Sequence, residues 1–363
     1  MSRRAFAAGL LAATLSLSLL LAGAAQAWQR PAQVVSPSAA TPLPPYLGWT
    51  VAADGALFVL DARHVVWRLD PQTLAPIQRS GALVTGLTDR PAYLAATSNQ
   101  LWVGSAALAR TVVLARADLS EQGAMDPFGP MAAAPDDFLF ITDGEALWRY
   151  DAMDLAAPAV TLLEPWTPAQ FQGDRPQRLA VDPVQRRLYV TVYNLYGSPP
   201  HNPETLYAYD LDTLERERLV QSNGTFFTPA SAAEAGLLAV GFAAKNGPLG
   251  SWLGLWRDHE QVARLPHLAG EVVLDAKGEW LYLINDEALW VLRVDDLALA
   301  AALPWFGSRP SGLQLSADGE MLYLFGSMWL TALSTAELHA SGLPFLITLP
   351  VSTAGRSAMM RFA

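Results

Sequence analysis

Three arginines, each followed by proline, are the residues of this chain best suited to chemistry: Arg90-Pro91, Arg175-Pro176 and Arg309-Pro310. A guanidinium is planar, permanently charged and rich in parallel N–H donors, so it recognises carboxylate or phosphate groups, often through two bonds at once. In a chain of formal net charge -10, with 24 basic against 34 acidic side chains, such a basic set is a local exception. Two long polar segments, "VYNLYGSPPHNPET" (192–205) and "FAAKNGPLGS" (242–251), supply a second group: Tyr193, Tyr196, His201, Asn202, Lys245 and Asn246. Aromatic and polar groups on long loops are the usual recognition surface of a rigid scaffold. These nine residues form the expected ligand-binding set. The competing roles are ordinary ones: each Arg can pair with an acid nearby, such as Asp89 or Asp174, and surface loops lengthen at little energetic cost.

Catalytic patterns are missing. The five histidines, at 64, 201, 259, 267 and 339, include no HExxH pair, and there is no Gly-x-Ser-x-Gly elbow, phosphate-binding glycine loop or GxGxxG. With no cysteine, disulfides, thiol catalysis and cysteine metal sites are excluded together. The acid pairs Asp136-Asp137 and Asp295-Asp296 fall where turns are expected, and carboxylates there cap backbone N–H groups. The sequence therefore points to no catalytic residue, no metal ligand and no cofactor. The acidic balance disfavours nucleic acid and anionic lipid. The expected partner is a protein or an anionic small ligand, bound by a monomer.

The elements that must position these residues are repeats. The stretch "RPQRLAVDPVQRRLYV" (175–190) returns as "RPSGLQLSADGEMLYL" (309–324): Arg-Pro, apolar residues two apart, a polar break, then Leu-Tyr and an aliphatic residue. Period-two alternation across a short break is a β-hairpin pattern. Strands of the same type recur at Leu57, Leu101, Leu139, Leu188, Leu238, Leu281 and Leu322, at spacings of 38 to 50 residues. That is the spacing of one four-stranded propeller blade. Each is followed by a partner segment, clearest as "VWRLDPQTL" from Val66, "LWRYDAMDL" from Leu147, "LYAYDLDTL" from Leu206 and "LWVLRVDDL" from Leu289, with looser versions at Thr111, Leu253 and Leu330. Trp67, Trp148 and Trp290 hold one slot in this segment, which suggests blade packing. The reading is an all-β, seven-bladed β-propeller with four-stranded antiparallel blades. Blade faces pack on one another, which accounts for apolar runs such as "LYLI". Asp54-Gly55, Lys277-Gly278 and Asp318-Gly319 mark turns between first and second strands, where Gly supplies a positive φ.

"RPQRLAVDPVQRRLYVT" with "LYAYDLDTLE", and "RPSGLQLSADGEMLYLF", resemble the YVTN-type β-propeller repeats of exported bacterial proteins. The resemblance is best in blades four, six and seven and extends over residues 46–350 when the weaker blades are counted. The Gly-His and Trp-Asp dipeptides of WD40 repeats are absent, so the likeness to WD40 is one of architecture. The resemblance implies the fold but selects no activity, because similar proteins include binding modules, surface proteins and lactonase-like enzymes. A non-catalytic binding or scaffold module, engaging its ligand with the loop-rich face around the channel mouth, is the expected function. The alternative is a propeller enzyme, a lactonase-like hydrolase or cofactor-bearing oxidoreductase with its active site in the channel.

The N-terminus, "MSRRAFAAGLLAATLSLSLLLAGAAQAW", joins two arginines, an apolar run and the small residues Ala25-Gln26-Ala27, the order of an export signal. Residues 1–27 are read as a cleaved signal peptide, 28–45 as a Pro/Ala/Ser-rich spacer, 46–350 as the propeller and 351–363 as a tail. The mature chain, with no membrane span, is expected in the periplasm, on the cell surface or outside the cell, starting near Trp28. "SRRAF" resembles the twin-arginine motif, while the strongly apolar run suits the general secretory route. Replacing Arg3 and Arg4 by lysine decides between them: the twin-arginine route predicts loss of export, measured by fractionation, and the general route predicts normal export.

Overall fold

The computed structural model describes residues 45–85, 90, 92–134, 136–164, 174–194, 203–245, 250–305 and 308–340. Blade one holds β1 (Gly48–Val51), β2 (Leu57–Leu60), β3 (Val65–Leu69) and β4 (Pro76–Ala82). Blade two holds β5 (Ala92–Ala96), β6 (Gln100–Ser105), β7 (Arg110–Ala115) and β8 (Glu121–Met125). Blade three holds β9 (Met131–Ala133), β10 (Phe138–Thr142), β11 (Leu147–Asp151) and β12 (Val160–Leu163). Blade four, the longest, holds β13 (Asp174–Asp182), β14 (Arg187–Asn194), β15 (Glu204–Asp210) and β16 (Arg216–Ser222). In blade five the inner strand is broken into β17 (Gly224–Phe226) and β18 (Ala230–Ala232), followed by β19 (Leu237–Ala244), β20 (Trp252–Arg257) and β21 (Glu260–Pro266). Blade six holds β22 (Glu271–Leu274), β23 (Trp280–Ile284), β24 (Ala288–Arg293) and β25 (Leu299–Pro304). Blade seven shows β26 (Gly312–Leu315), β27 (Met321–Phe325), β28 (Leu330–Ser334) and the short helix α1 (Thr335–Ala340). All strand pairs are antiparallel, and the first strands touch in succession from β1 round to β26 and back to β1. The protein is a seven-bladed all-β propeller. The segment expected as the fourth strand of blade seven, "GLPFLITLP", lies outside the described residues.

Each of the seven recurring Leu positions falls on the second strand of a blade, and each partner segment on the third. Parity on the second strand then decides which neighbour a side chain meets. Leu57 and Val59 pack toward blade seven, Phe58 and Leu60 toward blade two. Leu281 and Leu283 pack toward blade five, Tyr282 and Ile284 toward blade seven. Seven apolar clusters result, one at each blade-to-blade interface. Gly55, Gly278 and Gly319 close first-to-second-strand turns with φ of 84°, 68° and 73°.

The partner segments end in a turn of their own. In "DPQTL" and "DLDTL" the first Asp accepts backbone N–H groups two and three residues on, from Gln72 and Thr73 to Asp70 and from Asp212 and Thr213 to Asp210. The terminal leucines take left-handed backbone, φ 58° at Leu74 and 61° at Leu214, and their N–H groups return to the carbonyls of Asp70 and Asp210. The tryptophan slot has a polar purpose as well. Trp67 Nε1 donates to Asp61 at 2.9 Å and Trp290 Nε1 to Asn285 at 3.1 Å, pinning the turn between second and third strands. The acid pairs lie in turns, as expected; Asp295 and Asp296 pair with Arg293 of their own blade, whereas Asp136 and Asp137, like Asp54, stitch blades together. Asp137 accepts from Ser98 of blade two, Asp136 pairs with Arg186 of blade four at 2.7 Å, and Asp54 pairs with Arg116 of blade two.

Blades one and seven meet through side chains and a backbone hydrogen bond. Trp49 stacks on Phe325 at 4.4 Å between centroids, Tyr323 donates to the Pro71 carbonyl, and the Tyr46 N–H donates to the Ser327 carbonyl. A Cβ at Gly312 would overlap the Trp49 ring, so Gly there keeps the seam closed. Trp49→Ala is expected to cost about 3 kcal/mol, the low end for deleting a large aromatic because Trp49 is half-buried, and Gly312→Ala to lower the melting temperature through the same seam. Cutting after Leu214 or before Arg309 is expected to abolish the cooperative melt, since each blade buries both faces on its neighbours. A soluble, cooperatively melting four-blade fragment in circular dichroism would contradict this.

Candidate functional site

The inner strands line two hollows, termed upper and lower, that share wall residues. The upper, about 600 Å³, is lined by blades one to five, including Trp49, Tyr93, Phe128, Met131, Asp143 and Arg178. The lower, about 470 Å³, is lined by Glu271, Ser311, Gln314 and apolar residues of blades four to seven. Trp49 and Thr228 border both. Each volume suits a small molecule or a side chain of a partner.

Arg178 reaches the upper hollow because β13 is irregular. Arg175 pairs with Tyr193 and Pro176 with Val192, but the next paired residue is Arg178, opposite Thr191, and Gln177 is skipped. The extra residue is a β-bulge, which re-aims the side chains beyond it. Pro176 has no N–H to give the ladder, a reason for the irregularity to fall here. Gln177 turns its amide back on the carbonyls of Arg175 and Pro176. Among the described residues Arg178 makes no hydrogen bond and no ion pair, and its charge is felt by Tyr93, Glu204 and Glu271.

Those two carboxylates serve the broken strand of blade five. Between β17 and β18 the strand is interrupted at Phe227, Thr228 and Pro229, although the Phe227 N–H still donates to the Gly241 carbonyl of β19. Glu204, from blade four, accepts the Phe226 N–H at 2.7 Å, and Glu271, from blade six, accepts the Thr228 N–H at 3.2 Å. Burial raises the pKa of both above the ordinary glutamate value; for Glu204 the Phe226 N–H and the Arg178 charge oppose this, for Glu271 Arg178, Thr228 and Arg309. Burial likewise raises the Tyr93 phenol, with Arg178 opposing.

The nine expected site residues are distributed unevenly. Arg175 and Tyr193 face each other in the blade-four ladder, and the Lys245 ammonium lies 5.3 Å from the centre of the Tyr193 ring, a cation–π contact joining blades four and five. Lys245 also acts electrostatically on Glu204. Arg309 forms an ion pair with Asp286 of blade six and bears on Glu271. Arg90, exposed, directs Nη1 to the Ala106 carbonyl of its own blade at 3.4 Å. Asp174 accepts from Asn194 and pairs with Arg216. Tyr196, His201, Asn202 and Asn246 lie outside the described residues. The two long segments are only partly loops: β14 and β15 pair as far as Tyr193 with Glu204, and β19 and β20 as far as Phe242 with Trp252.

Sequence reasoning missed Trp49, Tyr93, Arg178, Glu204, Thr228 and Glu271. The one available signal was a charged residue opening an otherwise apolar inner-strand phrase, as at Glu271 in "EVVL". None of the described histidines lines either hollow. His64 is buried against Ser105 Oγ at 2.5 Å, His259 contacts Glu217, and His339 stacks on Trp280 while bonding the Tyr282 hydroxyl. No group of three metal-ligating side chains occurs among the described residues, and no helix among them is long and apolar enough to cross a membrane.

No protein-family model matches the chain, and no curated protein matches it in sequence. Likeness appears at the level of fold. One chain of Kuenenia stuttgartiensis hydrazine synthase superposes with a TM-score of 0.62 at 16% identity, covering 84% of this chain and 99% of that one. At that identity the likeness establishes the propeller and carries no activity across.

The raised carboxyls give a pH test. An acid whose folded-state pKa lies above its ordinary value contributes stability in acid that is lost as pH rises through the raised value. Glu204→Gln keeps an acceptor for the Phe226 N–H without the buried charge. The variant is expected to melt above wild type near pH ~7 and to converge with it near pH ~4, where glutamate is largely protonated. A difference that grows toward acid pH in thermal melts would reverse the assignment.

Proposed function

We propose that this chain is a non-catalytic binding or scaffold module that engages an anionic ligand, or an acidic segment of a protein partner, at the mouth of its channel. The observation that carries this reading is the gathering of Arg175, Tyr193 and Lys245 where blades four and five meet, with Arg175 next in sequence to Pro176, which lines the same hollow as Arg178. Arg90 and Arg309 complete the rim in this proposal. Such a site needs no reacting group. It needs fixed donors on a scaffold that does not move, which a closed ring of blades supplies.

The competing reading, a hydrolase or oxidoreductase with a channel active site, has one observation in its favour: two carboxyl groups, Glu204 and Glu271, are held above their ordinary pKa. Both are engaged by backbone N–H groups of blade five, which gives them a structural occupation.

The leader-like N-terminus supports an exported protein, periplasmic, cell-surface or extracellular. The repeat phrases support membership of the YVTN-type propellers. With the ring intact, the triple variant Arg90→Gln, Arg175→Gln, Arg309→Gln is expected to keep its melting temperature within a few degrees and to lose affinity for an acidic peptide. Each contact is worth ~0.5 to 1 kcal/mol if exposed and ~1.5 to 3 if sheltered. Binding should weaken from low to physiological ionic strength. Calorimetry with poly-glutamate checks it; equal binding by wild type and variant at both ionic strengths would end the proposal.

A further inference from the structure

We infer that the upper hollow of the channel is a site for a small carboxylic acid with an apolar or aromatic body, whose carboxylate sits on Arg178. The inference deepens the binding-module reading and rests on it, but places the recognition at Arg178 and not at the three arginines of the Arg-Pro dipeptides. Three observations carry it.

The first is the state of Arg178. It is partly shielded from solvent within a lined hollow, and among the described residues none accepts a hydrogen bond from it. A guanidinium in that position has already lost part of its hydration while its fork of donors is unengaged, and a carboxylate answers that fork with two parallel bonds.

The second is the state of the acids that could have engaged it. Glu204 and Glu271 feel the Arg178 charge, yet neither bonds it, and each gives one oxygen, Oε2, to a backbone N–H, that of Phe226 or of Thr228. Asp143, on the wall of the same hollow, accepts the N–H groups of Glu145 and Ala146. The protein's carboxylates help to balance the guanidinium at a distance and leave its donors open.

The third is the rest of the wall. Trp49, Tyr93, Phe128, Met131 and Leu179 give the hollow aromatic and apolar faces, and about 600 Å³ accommodates a body of one or two rings. A fully hydrated anion such as phosphate gains nothing from those faces, whereas an arylacetate buries its ring on them.

The probes are 4-fluorophenylacetate, its neutral amide 4-fluorophenylacetamide, and inorganic phosphate, followed by fluorine NMR of the two aryl probes and by calorimetry with wild type, Arg178→Gln, Arg178→Lys and the rim triple variant. Expected are binding of the acid to wild type, binding of the amide weaker by about tenfold or more, and loss of about tenfold or more in Arg178→Gln, the scale of charge-assisted hydrogen bonds. Arg178→Lys should restore part of the loss, and the rim triple variant should bind the acid as wild type does. Equal binding of acid and amide by wild type overturns the inference with no variant needed, so a misfolded Arg178→Gln cannot shelter it. No binding of the acid, or phosphate binding as tightly as the acid, also overturns it. Loss of the acid in the rim variant alone, with Arg178→Gln unaffected, overturns it while leaving the rim reading standing. Retention by the rim variant together with loss of poly-glutamate binding separates the two sites.

Discussion

Burial of a blade on both faces is the constraint from which the rest of this structure follows. A second strand has a neighbour on each side, so neither parity of side chain can be polar without a partner, and Leu57 to Leu60, Leu281 to Ile284 and Leu322 to Phe325 are apolar at every position. The hydrophobic interior is therefore divided among seven interfaces, each complete only when the next blade is present. Charge is driven to the ends of strands, to the outer edges and to the innermost strands. The chemistry of the molecule is confined to those places for the same reason.

Blade five shows what happens where the pattern is interrupted. Its inner strand is broken between β17 and β18, and two backbone donors at the break, the N–H groups of Phe226 and Thr228, are received by carboxylates from the blades on either side. Holding an acid out of water raises its pKa, a cost that is accepted because an unpaired buried N–H would be costly too. The arrangement also engages Glu204 and Glu271, two glutamates that feel the Arg178 charge. A structural repair in one blade and an open guanidinium in the next are two sides of one arrangement.

The turns between strands do a second job. Asp54, Asp136 and Asp137 cap or shape turns and also reach the adjacent blade, so the face opposite the channel mouth is stitched by polar contacts. Exposed pairs of this kind contribute little each, and the aromatic seam of Trp49 with Phe325 joins the last blade to the first. A ring held in this way keeps its inner strands at fixed separation, which suits a site whose specificity depends on the spacing of a charge from an apolar wall.

The sequence by itself determined the number of blades, the identity of the second and third strands and the turns at Gly55, Gly278 and Gly319, because period-two burial and positive-φ glycines are local properties repeated at a fixed interval. It also picked out Arg175, from the repeated Arg-Pro dipeptide, and Tyr193 and Lys245, since long segments between strands are visible without coordinates. Tertiary structure decided the rest. That Lys245 lies over Tyr193 depends on two blades being adjacent, and that Arg309 meets Asp286 depends on the lead-in of one blade reaching the turn of another. Arg178 was out of reach of a pattern argument: a bulge at Gln177 shifts the alternation by one residue, and only the pairing of Pro176 with Val192 and Arg178 with Thr191 reveals it. Glu204 and Glu271 acquired their roles from the break in a neighbouring strand, a dependence between residues distant in sequence that no local spacing encodes.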